Sequence, residues 1–156
     1  MTLNCSASYS TLSEWVDTVP QILKNIHEDK WNESEPGKWS RKQEFGHLLD
    51  SACNNLQRFV RGQYEEQPHI VYDADQWAAL QNHAENDVQQ LIDTWMVLNR
   101  QILWVVKNIP ENKFSRTCDS GKGNKQLHTL EWLFTDYVDH MKHHLDHILA
   151  KTGQAV

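Results

Sequence analysis

An all-α four-helix bundle with long connecting loops is the fold this sequence predicts, and three observations predict it. Apolar residues recur at steps of three and four through four long stretches. Strand-like alternation is scarce. Only six glycines and four prolines interrupt 156 residues. Each such helix has one face to bury, so the four must pack together to exclude water. The length suits one domain spanning 1–156.

The first helical region opens at Thr11-Leu12-Ser13-Glu14, which has the S/T-x-x-E form of a capping box, and runs to about Glu28. Pro20 either kinks it or begins a second segment capped by Thr18. Residues 31–39, with Pro36-Gly37, read as a loop. Ser40-Arg41-Lys42-Gln43 is a second capping box. Behind it Phe45, Leu48, Leu49, Ala52, Leu56, Phe59 and Val60 form one apolar stripe. Gly62 to Asp75 is a connection. Trp77, Leu80, Ala84, Val88, Leu91, Trp95, Leu98, Ile102, Val105 and Ile109 form a bundle seam, with a break near 82–86 and a stop at Pro110. Residues 111–128 read as polar loop. Thr129 caps the last helix, which carries Leu130, Leu133, Phe134, Tyr137, Val138, Met141, Leu145 and Ile148, and Gly153 fits the position just past its end. Long loops before the third and fourth helices allow crossover connections. Trp77 and Trp95, and most of the seven tryptophans, are expected in the core.

Composition excludes several classes. Apolar residues at 39% and charged residues at 23% fit neither a disordered nor a membrane protein. A net charge of −6 with no basic block disfavours nucleic acid. Cys5, Cys53 and Cys118 are odd in number and widely spaced, so neither a disulfide framework nor a CxxC zinc knuckle is expected. No basic or apolar targeting segment stands at the start, and a reducing, cytoplasmic setting is the expectation.

Nine histidines in so short a chain carry the chemistry. Four fall between Asp136 and His147. Residues four apart on a helix stack on one side, so His140 and His144 aim two imidazoles at a common point, as a divalent metal requires. His147 lies on the same side, and His143 is displaced toward solvent. No Glu follows His140, so the metalloprotease form of H-x-x-x-H is absent. A third ligand is wanted, and the candidates elsewhere are His27, His47, His69, His83 and His128. His47 is the best placed: it sits in a helix, seven residues past the Ser40 cap, on a face shared with Glu44, Asp50, Ser51, Asn54 and Arg58.

Two stretches resemble a known family. Gly37-Lys38-Trp39-Ser40 through His47-Leu48-Leu49-Asp50, and the H-x-x-x-H helix from Asp136 to Ile148, are similar to segments of the DinB-like, YfiT-type superfamily. Tyr72 to Trp77 and Thr129 to Leu133 fall where that family has similar words. The resemblance implies a four-helix bundle, usually a homodimer, holding one divalent metal through His47, His140 and His144. Leu145-Asp146-His147 stands where the family commonly has H-R-G-Q after the last ligand, which offers His147 as an extra ligand or an acid/base.

Three neutral imidazoles would leave coordination positions open, the pattern of catalytic sites. Zinc or nickel leads, with iron, manganese or copper as alternatives. Such a cation would lower the pKa of bound water toward about 7, or stabilise a thiolate. The expected function is therefore a metal-dependent hydrolase or a low-molecular-weight-thiol S-transferase acting on a small molecule. A non-catalytic metal-binding or dimerisation module of the stress-response type is the alternative. Cys53 lies toward the apolar side of its helix, so any thiol comes from outside. Asp50, Asn54 and Asp136 are candidates to accept the second ring N–H of a ligating histidine or to act as acid or base.

Overall fold

In the computed structural model, which describes residues 3–150, four long helices make the bundle: α1 (Leu3–Leu23), α3 (Arg41–Arg61), α5 (Val88–Lys107) and α6 (Leu130–Ala150). The connections hold two short helices, α2 (Glu28–Trp31) and α4 (Ala74–Leu80), and a hairpin, β1 (Thr117–Asp119) with β2 (Leu127–Thr129). Gly153 lies outside the described residues.

Both α3 and α1 pack against α5 and α6, so α1 stands diagonally from α3, and α5 from α6. The chain therefore crosses the bundle twice, in residues 24–40 and 108–129. The second crossing lies before the fourth helix, as the loop lengths predict. The other precedes the second helix, because α3 and α5 are neighbours although 26 residues, 62–87, join them.

Helix α1 begins at Leu3, eight residues before the predicted start. Cys5, Leu12, Trp15, Val16, Val19 and Leu23 all bury along it, and this stripe holds the helix through Thr11. Thr18 does not open a new segment: its hydroxyl donates back to the Glu14 carbonyl at 2.9 Å, and the helix runs on through Pro20. Helix α3 starts where the capping box places it. Ser40 Oγ accepts from Gln43 N at 3.2 Å, and Gln43 Oε1 accepts from Ser40 N at 3.0 Å. Thr129 Oγ1 likewise accepts from Trp132 N, at 3.1 Å, as α6 begins.

The predicted seam from Trp77 to Ile109 is two helices. Asn82, with φ of 53°, ends the first, and Asp87 caps α5 by accepting from Gln90 N at 2.8 Å. Trp77 is consequently only half-buried and Leu80 is exposed, whereas Leu91, Trp95, Ile102 and Val106 pack in the core. Trp31, expected in a loop, is fully buried, its ring edge-on to Phe45 at 5.9 Å. Trp104 and Trp132 are exposed, so tryptophan supplies less of the core than expected. Each fully buried large apolar side chain contributes about 1.5–3 kcal/mol, and the Phe45, Phe59, Trp95 and Phe134 rings join α3 to α5 and α6 in this way.

The hairpin is the element the sequence does not predict. Its seven-residue turn, 120–126, is organised by the Asp119 carboxylate, which accepts from Gly121 N at 3.0 Å and Gln126 N at 2.9 Å. Those two bonds hold its pKa below the usual carboxylate value. Residues 68–70 run beside β1: Asp119 N donates to Pro68 O and Ile70 N to Asp119 O, both at 3.0 Å. The turn thereby brings Lys122 over the groove between α3 and α6. No helix among the described residues is long and apolar enough to cross a membrane.

Candidate metal centre

Helices α3 and α6 bring together the three histidines that spacing and resemblance pointed to. His47 Nε2 lies 3.3 Å from His140 Nε2, and His140 Nε2 lies 3.1 Å from His144 Nε2. These form the one cluster of three or more His, Cys, Asp or Glu ligand atoms among the described residues. The spacing suits a cation: two nitrogens each about 2.0–2.1 Å from a metal, separated by a tetrahedral angle, stand about 3.3 Å apart.

Their surroundings keep two of these rings, His47 and His140, neutral. His47 is only 5% exposed, with the rings of Trp39 and Tyr72 packed near it at 5.1 and 6.2 Å. Burial, then the proximity of His140 and His144, pushes its pKa down to about 3. Burial, followed by His144 and His143, pushes His140 down to about 4. Near pH 7 both rings thus offer lone pairs, the form that binds a metal.

Glu44, one turn before His47 on α3, orients the third ring. Its Oε1 lies 2.9 Å from His144 Nδ1, so the proton sits on Nδ1 and Nε2 is left as a donor of electrons. The same carboxylate meets His147 Nδ1 at 2.8 and 2.7 Å. Burial alone would raise the Glu44 carboxyl, but its bonds to His144 and His147 outweigh that and hold it below the usual carboxylate value. The sequence places Glu44 on the polar face of its helix without giving it this role.

The other candidates sit elsewhere. Asp50 is buried against His83, Oδ1 to Nε2 at 3.0 Å, and also accepts from the Gln81 side chain. Asn54 donates to the Asp50 carbonyl at 2.8 Å. Neither meets a ring nitrogen of the trio, and His47 Nδ1 is buried without a hydrogen-bond partner among the described residues. His147 holds Glu44 and stays outside the cluster. Asp136 lines a cavity of about 300 Å³ beside His47 and His140, together with Ser51, Asn55, Arg58, Tyr72 and Lys122. Partial burial raises its carboxyl above the usual value.

The DinB superfamily model matches residues 12–148. The chain belongs to the DinB superfamily. Two bacterial relatives span most of this DinB chain. One, from Bacillus subtilis, is named "Putative metal-dependent hydrolase YfiT"; it is 29% identical over 152 residues, covering 92% of this chain and 85% of YfiT. A protein of Oceanobacillus iheyensis with the same description is 27% identical over 153 residues, covering 89% and 84%. Among solved structures, YfiT from Bacillus subtilis, described as "a probable metal-dependent hydrolase with an unusual four-helix bundle topology", superposes with a TM-score of 0.87 at 22% identity, covering 99% of this chain and 91% of that one. The DinB-like protein YjoA of Bacillus subtilis follows with a TM-score of 0.65 at 15% identity, over 96% and 93% of the two chains. At those identities the structures speak for the fold.

Proposed function

We propose that this chain is a metal-dependent enzyme that hydrolyses a small molecule, with His47, His140 and His144 holding one divalent cation. The observation that carries this reading is the convergence of three imidazole Nε2 atoms beside a cavity, with no fourth His, Cys, Asp or Glu atom in the cluster among the described residues. Structural sites are closed by four ligands, and three leave a position for reaction. His143 and His147, which would have favoured a closed, non-catalytic site, remain outside it. The names of the YfiT-like relatives favour hydrolysis.

A divalent cation there supplies Lewis acidity, polarising a substrate oxygen and lowering the pKa of water. The chain's own residues do the rest. Glu44 fixes the tautomer of His144. Trp39 and Tyr72 shield His47 from solvent. Asp136, one turn before His140 on the same helical face, exchanges a proton with whatever occupies the cavity, and its raised pKa suits that task. Cys5 and Cys118 are buried and burial pushes both thiols up to about 11, so they are not nucleophiles.

The test is a panel of esters, amides and epoxides offered to metal-loaded protein with and without added low-molecular-weight thiols. Turnover should need no thiol, stop with a chelator and return with the cation. Turnover only with thiol would assign S-transfer instead, and activity indifferent to chelation would refute the metal.

A further inference from the structure

We propose that the cavity beside the histidine trio binds a carboxylate of the substrate, anchored by Arg58 and assisted by Lys122, so that the substrate is a small carboxylic acid. This rests on the reading that the trio holds a cation, and it assigns the far end of the same cavity.

Arg58 is the observation that calls for a ligand. The other four arginines each meet a carboxylate: Arg41 with Glu33, Arg61 with Glu65, Arg100 with Asp17 and Arg116 with Glu66. Arg58, half-buried, makes no ion pair among the described residues. Its Nε and Nη2 donate to the Ile70 carbonyl at 3.2 and 2.8 Å, and Nη1 donates to Asn55 Oδ1 at 3.2 Å. A guanidinium has five N–H groups, so two remain. The two bonds to Ile70 tether the loop after α3, and the third, to Asn55, holds the guanidinium to its own helix. No carboxylate among the described residues pairs with Arg58 at close range, Asp136 acting on it only across the cavity, and a partly desolvated cation without a close partner is costly.

Position makes the anion a substrate group. His47, Ser51 and Asn55 stand four apart on one face of α3, and all three line the cavity with Arg58. From His47 to Asn55, where the guanidinium is held, is about 12 Å along the helix. One end of the cavity thus lies at the trio and the other at a cation. Lys122 is brought to the same cavity by the β1–β2 turn, which His69 Nε2 braces against the Gly121 carbonyl at 3.1 Å.

Charge narrows the class. The metal cation's own charge faces the group bound at the trio, while among the side chains that line the cavity Arg58 and Lys122 outnumber Asp136 by one positive charge. That balances a monoanion. A phosphate dianion would meet Asp136 with too few donors, which favours a carboxylate.

The probes are hydroxamic acids of four to eight carbons, whose head group chelates metals, offered to the metal-loaded full chain by titration calorimetry. One series ends in a carboxylate and a matched series ends in methyl. At one length at least, the carboxylate should bind about 10-fold or more tightly than its methyl counterpart. Arg58→Gln should erase that preference without changing the binding of the methyl series, and Lys122→Ala should reduce it less. Equal binding of both series at every length overturns the inference. So does a loss in Arg58→Gln that is alike for both, or a phosphonate tail that outbinds the carboxylate. If neither series binds, the cation reading has failed separately. Glutarate added to metal-free protein then decides: a shift of the Arg58 Nε–H resonance supports the anchor, and no shift overturns it.

Discussion

Replacing Glu44 by Gln tests how the carboxylate beside His144 supports the proposed metal centre. Glu44 is 7% exposed and accepts from His144 Nδ1 at 2.9 Å and from His147 Nδ1 at 2.7 and 2.8 Å. Glutamine keeps the shape and removes the charge, so the two N–H groups are left to share one neutral amide oxygen. A hydrogen bond to a charged partner contributes about 1.5–3 kcal/mol and a neutral one about 0.5–1.5 kcal/mol, so roughly 1–2 kcal/mol is lost at His144. That corresponds to about a 5- to 30-fold weaker hold on the cation, within the roughly 10- to 100-fold typical when a ligand's hydrogen-bond partner is altered. Competition against a chromophoric chelator measures it directly. His147→Ala is the control: its side chain is 51% exposed and does not join the cluster, so affinity should change by less than about threefold. Wild-type affinity in Glu44→Gln, or an equal loss in His147→Ala, would refute the assignment.

Three further outcomes follow from the packing and the charges. A methyl group at Gly46 would overlap the His83 ring and disturb the buried Asp50–His83 pair, so Gly46→Ala should cost about 3 kcal/mol by urea unfolding; an unchanged midpoint would mean that this close approach relaxes freely. Arg41 is buried and donates to the Ile148 carbonyl at 3.3 Å, the Lys30 carbonyl at 2.6 Å and Glu33 at 3.1 Å, tying the end of α6 to α2 and α3. Arg41→Ala should cost about 3 kcal/mol, and Arg41→Lys should recover little of it. Metal-stripped protein should lose stability on acidification. His47 and His140, at about 3 and about 4 when folded, take up protons near 6.5 once unfolded. Their contribution is therefore full above about pH 6.5 and falls as the pH drops toward the folded values, by on the order of 3 kcal/mol at pH 5 after allowing for partial solvation. Glu44, whose folded pKa is depressed, adds its own loss only at lower pH. A urea midpoint that is flat from pH 7 to pH 5 would contradict this.

What could be read from sequence was local. The Ser40 capping box, the Thr129 cap, the break at 82–86 and the i, i+4 pairing of His140 with His144 depend on residues a turn apart, and each is present. The convergence of His47 with that pair was named through resemblance and helix face, since no local rule links residues 93 positions apart. Where the readings departed from the structure, tertiary packing decided. The Thr11 box resembles a helix start, but the apolar stripe from Cys5 to Leu23 keeps Thr11 inside α1. Trp31 is core because a one-turn helix folds it against Phe45. The hairpin has strands of three residues, too short for alternation to reveal, and its turn depends on the Asp119 carboxylate. Asp50 is on sequence one of three candidates to support a ligating histidine, but His83, 33 residues away, claims it. Glu44 showed only as a polar neighbour because its partners lie on another helix. A signal was nevertheless present: a carboxylate three residues before a candidate ligand shares its helical side.

The most direct measurement is elemental analysis of untagged protein and its single histidine variants. One divalent cation per chain should accompany the wild type, His69→Ala and His128→Ala, and should be lost from His47→Ala, His140→Ala and His144→Ala. A full complement of metal in any of the last three would contradict the three-histidine centre.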